Sequence, residues 1–383
     1  MKISLAITAL AALSTAAAPA PPIAEAQNKL SLGSPKLTLV DQVASLVPGT
    51  ANTWHVNVHG YLTKPLTSST LSGVFTVLKF LTGGDQSKVA TLESRMQLFS
   101  MVGIQSTQIN VALPASAGGK TVLVGTTDQT GLLDGTTDAP ITGSPASIDV
   151  TYVGGSSNTQ QVGGRAYLVP DVGVSVISDI DDTIKVTEVN SRTKLLEHTF
   201  LLPFTSTPGF PGLYQALNTE LAAVNAAPTF HYLSRSPWNL YEPLAAFVSQ
   251  FKFPAGQFIL RNLSVLDGSL LDFLVAGPDY KAARIAEHLA LFPKRQLVMI
   301  GDSTEQDPES YATVAKASPG NVRCIAIRIV TGVDAQKEAP EISPARFATA
   351  FAGIPTNKWF TFTDAAQIDP KDIAAGNCRP KSQ

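Results

Sequence analysis

The chain has 383 residues, of which 44% are hydrophobic and 15% charged, and its formal net charge is −2. That length exceeds the roughly 250–300 residues at which a single core stops growing, so more than one domain is expected. Lys and Arg are scattered, and no basic run carries interleaved aromatics, which excludes the electrostatic footprint of a nucleic-acid binder.

Lys2 followed by the Ala-rich apolar run 3–18 reads as an export signal. Small residues at Ala24 and Ala26 place cleavage after Ala26, and Pro19, Pro21 and Pro22 stop the run short of a bilayer span. A secreted or cell-surface location is therefore expected. The two cysteines are Cys324, inside an apolar strand-like run, and Cys378, in a polar tail. An oxidising compartment would allow a bridge between them, and two separate thiols are the alternative. Either way they are too few for a disulfide scaffold or a cysteine-based zinc site.

After the signal (1–26), residues 29–165 have a β texture. The segment 54–61 alternates at period two, as a half-buried strand does, and further strands are expected at 74–81, 105–113, 121–125 and 148–153. Gly-, Pro-, Ser- and Asp-rich turns separate them, which suggests a β-sandwich-like domain with no chemistry visible in its residues. His55 and His59 can share one strand face, but two histidines without a third ligand make a poor metal site.

From residue 166 to about 365 the pattern changes to strands alternating with helices, which predicts an α/β domain with a parallel sheet. Strands are expected at 172–178, 229–234, 257–262, 296–300 and 321–330. The helices between them are expected at 209–225, 238–251, 280–291 and 307–317, and a tail covers 366–383. This rhythm makes a Rossmann-like parallel sheet.

Four motifs fall at or just beyond these strands, so they should converge in the crevice outside the strand C-termini. The first strand runs into Asp179-Ile180-Asp181-Asp182-Thr183. Carboxylates at the end of a buried strand need a counter-charge, for which a hard divalent cation is suited. Asp179 and Asp181 can point the same way, giving a nucleophile beside an acid/base. The second motif carries Ser234 and Arg235, a hydroxyl donor and a cation able to bind phosphate. The third is Lys281 at the head of a helix, where a cation opposes the helix dipole unless something anionic compensates it. The fourth is Gly301-Asp302 with Asp307, where carboxylates complete an oxygen shell for magnesium.

Asp179-Ile180-Asp181-Asp182-Thr183, Ser234, Lys281 and Gly301-Asp302 with Asp307 together resemble the four ordered motifs of the haloacid dehalogenase superfamily. The run 175–188, the segment Phe200-Leu201-Leu202-Pro203-Phe204, Ser236-Pro237-Trp238-Asn239-Leu240-Tyr241 and Asp307-Pro308-Glu309 narrow the resemblance. They are similar to the catalytic domain of the actin-patch phosphatidate phosphatases, over roughly residues 162–330. The resemblance implies a haloacid-dehalogenase-type parallel sheet and a magnesium-dependent phosphatase with an aspartyl-phosphate intermediate. Asp179 is then the nucleophile, and Asp181, with a raised pKa, the acid/base. Ser234 and Lys281 hold the phosphoryl oxygens, with Thr183 and Arg235 toward the substrate. Magnesium (Mg2+) is held by Asp179, the Asp181 carbonyl, Asp302 and Asp307.

The implied substrate is phosphatidate or a related lipid phosphomonoester, with peripheral membrane contact. Arg235 and the pair Arg261-Asn262 depart from the residues expected at their places. Soluble phosphomonoesters are the alternative substrates, and a non-catalytic secreted binding protein is the alternative from another class. The apolar run Phe200–Phe204 is expected either to line an acyl-chain entrance or to pack in the core. Asn262-Leu263-Ser264 is a glycosylation sequon at a strand end.

Overall fold

The computed structural model describes residues 34–65, 72–154, 159–262 and 279–381. The expected export signal and the stretch 263–277 lie outside these residues. Among the described residues, no helix is long and apolar enough to cross a membrane.

The chain opens with β1 (Lys36–Val40), β2 (Gln42–Leu46) and the long β3 (Thr53–Pro65). In β3, Val56 and Val58 are buried while His55, Asn57 and His59 are half-exposed, as the period-two reading of this segment required. The next expected strand, 74–81, is instead a helix, α1 (Ser72–Leu81), followed by α2 (Gln86–Phe99). The β-branched and aromatic content of 74–81 favoured a strand. Its apolar positions 74, 77, 78 and 81, however, follow the i, i+3, i+4, i+7 spacing of a helix. Asp85 caps α2 by accepting from the Ser87 and Lys88 amides, so the turn 82–85 joins two helices rather than two strands. This helical hairpin is inserted between β3 and β4 (Met101–Gly103), which pair antiparallel.

The N-terminal part continues with β5 (Gln108–Ala112), β6 (Thr121–Thr126), β7 (Leu132–Pro140), β8 (Ser147–Asp149) and β9 (Thr151–Val153). It ends with β10 (Gln160–Gly163) and β11 (Arg165–Val169). An eight-stranded sheet runs β10-β1-β3-β2-β11-β8, with β4 and β7 also on β3, and a three-stranded sheet runs β6-β5-β9. Leu37, Val56, Val58 and Leu62 of the first share a core with Ile109, Val111 and Val124 of the second.

The C-terminal part is built on β12 (Val172–Ser178), β13 (Thr229–Pro237), β14 (Gly256–Arg261), β15 (Lys294–Asp302), β16 (Val322–Arg328) and β17 (Trp359–Phe362). Their order is β14-β13-β12-β15-β16-β17, and every neighbouring pair is parallel. The five expected strands are present, and β17 adds a sixth. The connecting helices α3 (Phe210–Ala223), α4 (Tyr241–Gln250), α5 (Asp279–Leu291) and α6 (Asp307–Ala317) lie close to their expected positions. The fold is thus mixed α/β, with central strands β12 and β15 buried along nearly their whole length, as parallel strands are. Further on, α7 (Pro370–Ala375) packs on α3, and a disulfide joins Cys378 to Cys324 of β16 with a Cα–Cα distance of 5.1 Å.

One core draws on both parts of the chain. Tyr61, Leu78, Leu92, Met96 and Phe99 are buried in the same cluster as Val176, Phe200, Leu201, Phe204, Tyr214 and Phe247. Tyr61 stacks on Trp238 with ring centroids 3.7 Å apart. Within the run Phe200–Phe204, Phe200, Leu201 and Phe204 are buried in this core, while Leu202 is half-buried and Pro203 exposed.

Candidate active site

The C-terminal ends of β12 and β15 set the site. Asp179 follows β12 directly, and its amide donates to the Ile300 carbonyl at 2.9 Å, fixing the strand exit against β15. Asp302 ends β15, and Asp307 opens α6 with Pro308 behind it, where proline's missing N–H costs nothing. Gly301 allows this approach: a Cβ built there would lie 2.2 Å from Asp307 Oδ2. Asp179, Asp302 and Asp307 are all buried, and each offers a carboxylate oxygen within 4.8 Å of the others.

Lys281, on the first turn of α5, is fully buried among them. Its Nζ lies 2.5 Å from Asp179 Oδ1, 2.5 Å from Asp307 Oδ1 and 3.0 Å from Glu305 Oε2. Burial alone would lower its pKa, but these carboxylates outweigh it and hold the ammonium well above its ordinary value. One cation cannot neutralise the whole group. Burial and mutual repulsion push Asp179 well above the carboxylate range and Asp302 up to about 7, and burial also raises Asp307. Buried, all-oxygen donors carrying more negative charge than one lysine can offset fit a hard divalent cation such as magnesium. Thr183 faces two of them, with Oγ1 3.0 Å from Asp179 Oδ2 and 3.3 Å from Asp302 Oδ2.

Asp181 points into a different set of donors. Its Oδ1 accepts from Thr187 Oγ1 at 2.9 Å and lies 2.8 Å from Lys185 Nζ, and its Oδ2 accepts from the Ser234 and Ser236 hydroxyls, each at 2.9 Å. Burial would raise this carboxyl, yet Lys185, Thr187 and Ser234 outweigh it and bring the pKa down to about 2. The expected contrast between the two aspartates is therefore present with the opposite sign: Asp179 is raised and Asp181 lowered. Lys185, Thr187 and Ser234 are the reason at Asp181; Lys185 and Thr187, like the further donor Ser236, stand in the sequence motifs without an assigned role. Lys185 and Thr187 follow the first motif directly, and Ser236 sits two residues past Ser234, so strand alternation could have flagged it.

Ser234 is buried within β13, which runs three residues past the strand end expected from the sequence, and it bonds Asp181. Arg235 lies nearby, its Nε 3.9 Å from Glu305 Oε2. Glu305, in the turn after Asp302, is a further site carboxylate that the sequence reading passed over. Asp182 does not join the acidic group. It has φ 56° and accepts the Thr187, Glu188 and Val189 amides, so it anchors the loop that carries Thr187. The histidines of β3 lie in the N-terminal sheet, each facing an aspartate of β7: His55 Nδ1 is 2.7 Å from Asp138 and His59 Nδ1 is 2.5 Å from Asp134. Cross-strand side-chain hydrogen bonding accounts for both. Tyr61 donates its hydroxyl to Asn262 Oδ1, which gives Asn262 a contact within the fold.

Comparison with known proteins points to the same segment. The family model for the catalytic domain of phosphatidate phosphatase APP1 matches residues 174–329, the stretch that carries all four motifs. Phosphatidate phosphatase APP1 of Saccharomyces cerevisiae is 30% identical over 246 residues, covering 62% of this chain and 40% of the yeast protein. An uncharacterized protein of Schizosaccharomyces pombe is 31% identical over 159 residues, covering 41% of this chain and 25% of that protein. The matches thus span less than half the length of either curated relative. A solved structure concerning a carbohydrate esterase covers 84% of this chain at 10% identity with a TM-score of 0.23, too low to carry an argument. The resemblance to the catalytic domain of the actin-patch phosphatidate phosphatases stands on the family match and on the yeast relative.

Proposed function

We propose that the chain is a magnesium-dependent phosphatase acting on phosphatidate or a related lipid phosphomonoester through an aspartyl-phosphate intermediate. The observation that carries this reading is the buried group of Asp179, Asp302 and Asp307 around Lys281, inside the segment that matches the phosphatidate phosphatase family. In this reading the parallel sheet is of the haloacid dehalogenase type and the N-terminal sheets form a sandwich-like domain. The Cys324–Cys378 bridge supports export to an oxidising compartment.

Asp179, Asp302, the Asp181 carbonyl and Asp307, directly or through water, would hold the cation. When bound, it supplies positive charge against the phosphoryl oxygens and keeps Asp179 ionised. Asp179 attacks phosphorus and the bond to the leaving alkoxide breaks, while Asp181 gives its proton to the departing oxygen. Asp181 then takes a proton from water as that water attacks phosphorus, the bond to Asp179 breaks, and inorganic phosphate leaves. Lys281 and Thr183 orient Asp179 from its two oxygens, and Lys281 with Ser234 offsets charge on the phosphoryl group. Asp181 must start protonated. A phosphoryl dianion beside it raises its pKa, and Ser234, on turning to that group, leaves the carboxylate with one donor fewer.

The test is phosphate release by the full chain from phosphatidate in mixed micelles and from water-soluble phosphomonoesters, with magnesium and with EDTA. Magnesium-dependent release from the micelles supports the reading. Release from soluble esters alone keeps the mechanism and discards the lipid, and silence on both leaves a non-catalytic binding protein.

A further inference from the structure

The N-terminal helical hairpin packs on Phe204, the ring that neighbours the lysine paired with Asp181. Arg95, buried on α2, donates from Nη1 to the Thr199 carbonyl at 2.7 Å. Its guanidinium carbon lies 3.8 Å from the centroid of the Phe204 ring. The Lys185 ammonium lies 4.8 Å from the same centroid. Lys185, itself almost fully buried, is 2.8 Å from Asp181 Oδ1 and also bonds Thr187, which bonds that same oxygen. Both cations are within the roughly 6 Å over which an aromatic face attracts positive charge, and the effect grows when the partners are desolvated. The sequence from α2 to the reacting carboxyl is therefore Arg95, Phe204, Lys185, Asp181.

We infer that Arg95, Phe204 and Lys185 are positioning residues for Asp181, so that the N-terminal part of the chain takes part in proton transfer to the leaving group. Ser234 and Ser236 hold one oxygen of Asp181 from β13, and Lys185 with Thr187 holds the other. Lys185 can hold its side only while its buried stem and ammonium have a wall to rest on. That wall is the Phe204 ring, and Arg95 fixes it from the hairpin, more than a hundred residues away in sequence. Loosening the wall lets the carboxyl rotate, and a mis-aimed acid costs most where the leaving oxygen needs a proton most.

The inference rests on the proposed reading that Asp181 is the general acid, and leaving-group dependence tests it. An alkyl phosphate such as dioctanoyl phosphatidate requires protonation of its leaving oxygen, whereas p-nitrophenyl phosphate has a leaving group stable as an anion. General acid catalysis is worth about 10²–10⁴-fold, so partial misplacement should cost about tenfold. We expect Arg95→Met to lower kcat/KM, which reports phosphoryl transfer to Asp179 and not the hydrolysis both substrates share, about tenfold on the alkyl phosphate and less than threefold on p-nitrophenyl phosphate. Phe204→Leu, which keeps the Arg95–Thr199 bond but removes the ring, should behave alike, and Arg95→Lys should restore most of the loss. Arg95→Met should add little on top of Lys185→Met, since it acts through that residue. Equal losses on the two substrates, or none, in variants whose thermal unfolding stays cooperative would overturn the inference while leaving the phosphatase reading intact. A wild-type chain silent on every phosphomonoester would overturn both.

Discussion

Gly301→Ala is the smallest change that should disable the site. A Cβ at position 301 meets Asp307 Oδ2 at 2.2 Å and both Cβ and Cγ of Asp307 at 2.8 Å, whereas ordinary contact begins at 3.4 Å. Asp307 must therefore retreat by about 1 Å, since it is fully buried and the clash is with its whole carboxyl rather than a flexible tip. The retreat pulls Oδ1 from Lys281 and Oδ2 from the Asp302 amide. A 1 Å misplacement of catalytic groups costs on the order of 10²-fold in rate, so kcat should fall by about that factor. The magnesium concentration giving half-maximal rate should rise as well. The assay is steady-state phosphate release across a magnesium titration, with far-UV circular dichroism to confirm the fold. Activity within threefold of wild type at all magnesium concentrations would refute the reasoning, because it would show that Asp307 can move without consequence.

Three further outcomes follow from the packing. Cys378→Ser opens a bridge between residues 54 apart, for which loop entropy gives about 4 kcal/mol, so urea unfolding should shift by up to that amount and wild type in reductant should match it. His231 and His288 are buried with rings 4.3 Å apart, and burial, with Arg295 nearby, lowers His231 to about 3 and His288 well below its ordinary 6.5. Neutral in the fold but free to protonate when unfolded, each contributes a loss of stability that begins as pH falls through about 6.5 and reaches about 2 kcal/mol by pH 5. Urea midpoints at pH 7 and pH 5 should therefore differ less in a His288→Gln variant than in wild type, and an equal difference would contradict this. Asp182→Ala leaves the Thr187, Glu188 and Val189 amides without their acceptor and removes a residue type suited to φ 56°. It should cost about 3 kcal/mol or more in denaturant unfolding, and a loss below about 1 kcal/mol would contradict the anchoring role.

The parallel sheet was legible because its strands are continuous apolar runs that end abruptly in acids, as at Ile177-Ser178-Asp179 and Ile300-Gly301-Asp302. Where a segment's composition and period disagreed, composition misled: α1 has strand-like residues at helical spacing. The second helix was missed because its buried stripe, Leu92, Arg95, Met96 and Phe99, contains a charged residue that only a partner ring and a carbonyl make tolerable. In the site, the acids and Lys281 were legible from motif order. The electrostatic sign at Asp181 was not, since it is set largely by Lys185 and by Thr187, which the loop anchored by Asp182 carries to it. Arg95 lies 104 residues from Thr199, and no local pattern could have joined them.

The central claim is that Asp179 carries the phosphoryl group, and rapid-quench labelling tests it most directly. The full chain is mixed with magnesium and ³²P-labelled phosphatidate, quenched in acid within one turnover and reduced with borohydride, which converts a phosphorylated aspartate to homoserine. Acid-stable label on the wild-type chain and homoserine at position 179 are expected, and neither in Asp179→Asn. Turnover without label at residue 179, or turnover by Asp179→Asn at the wild-type rate, would contradict it.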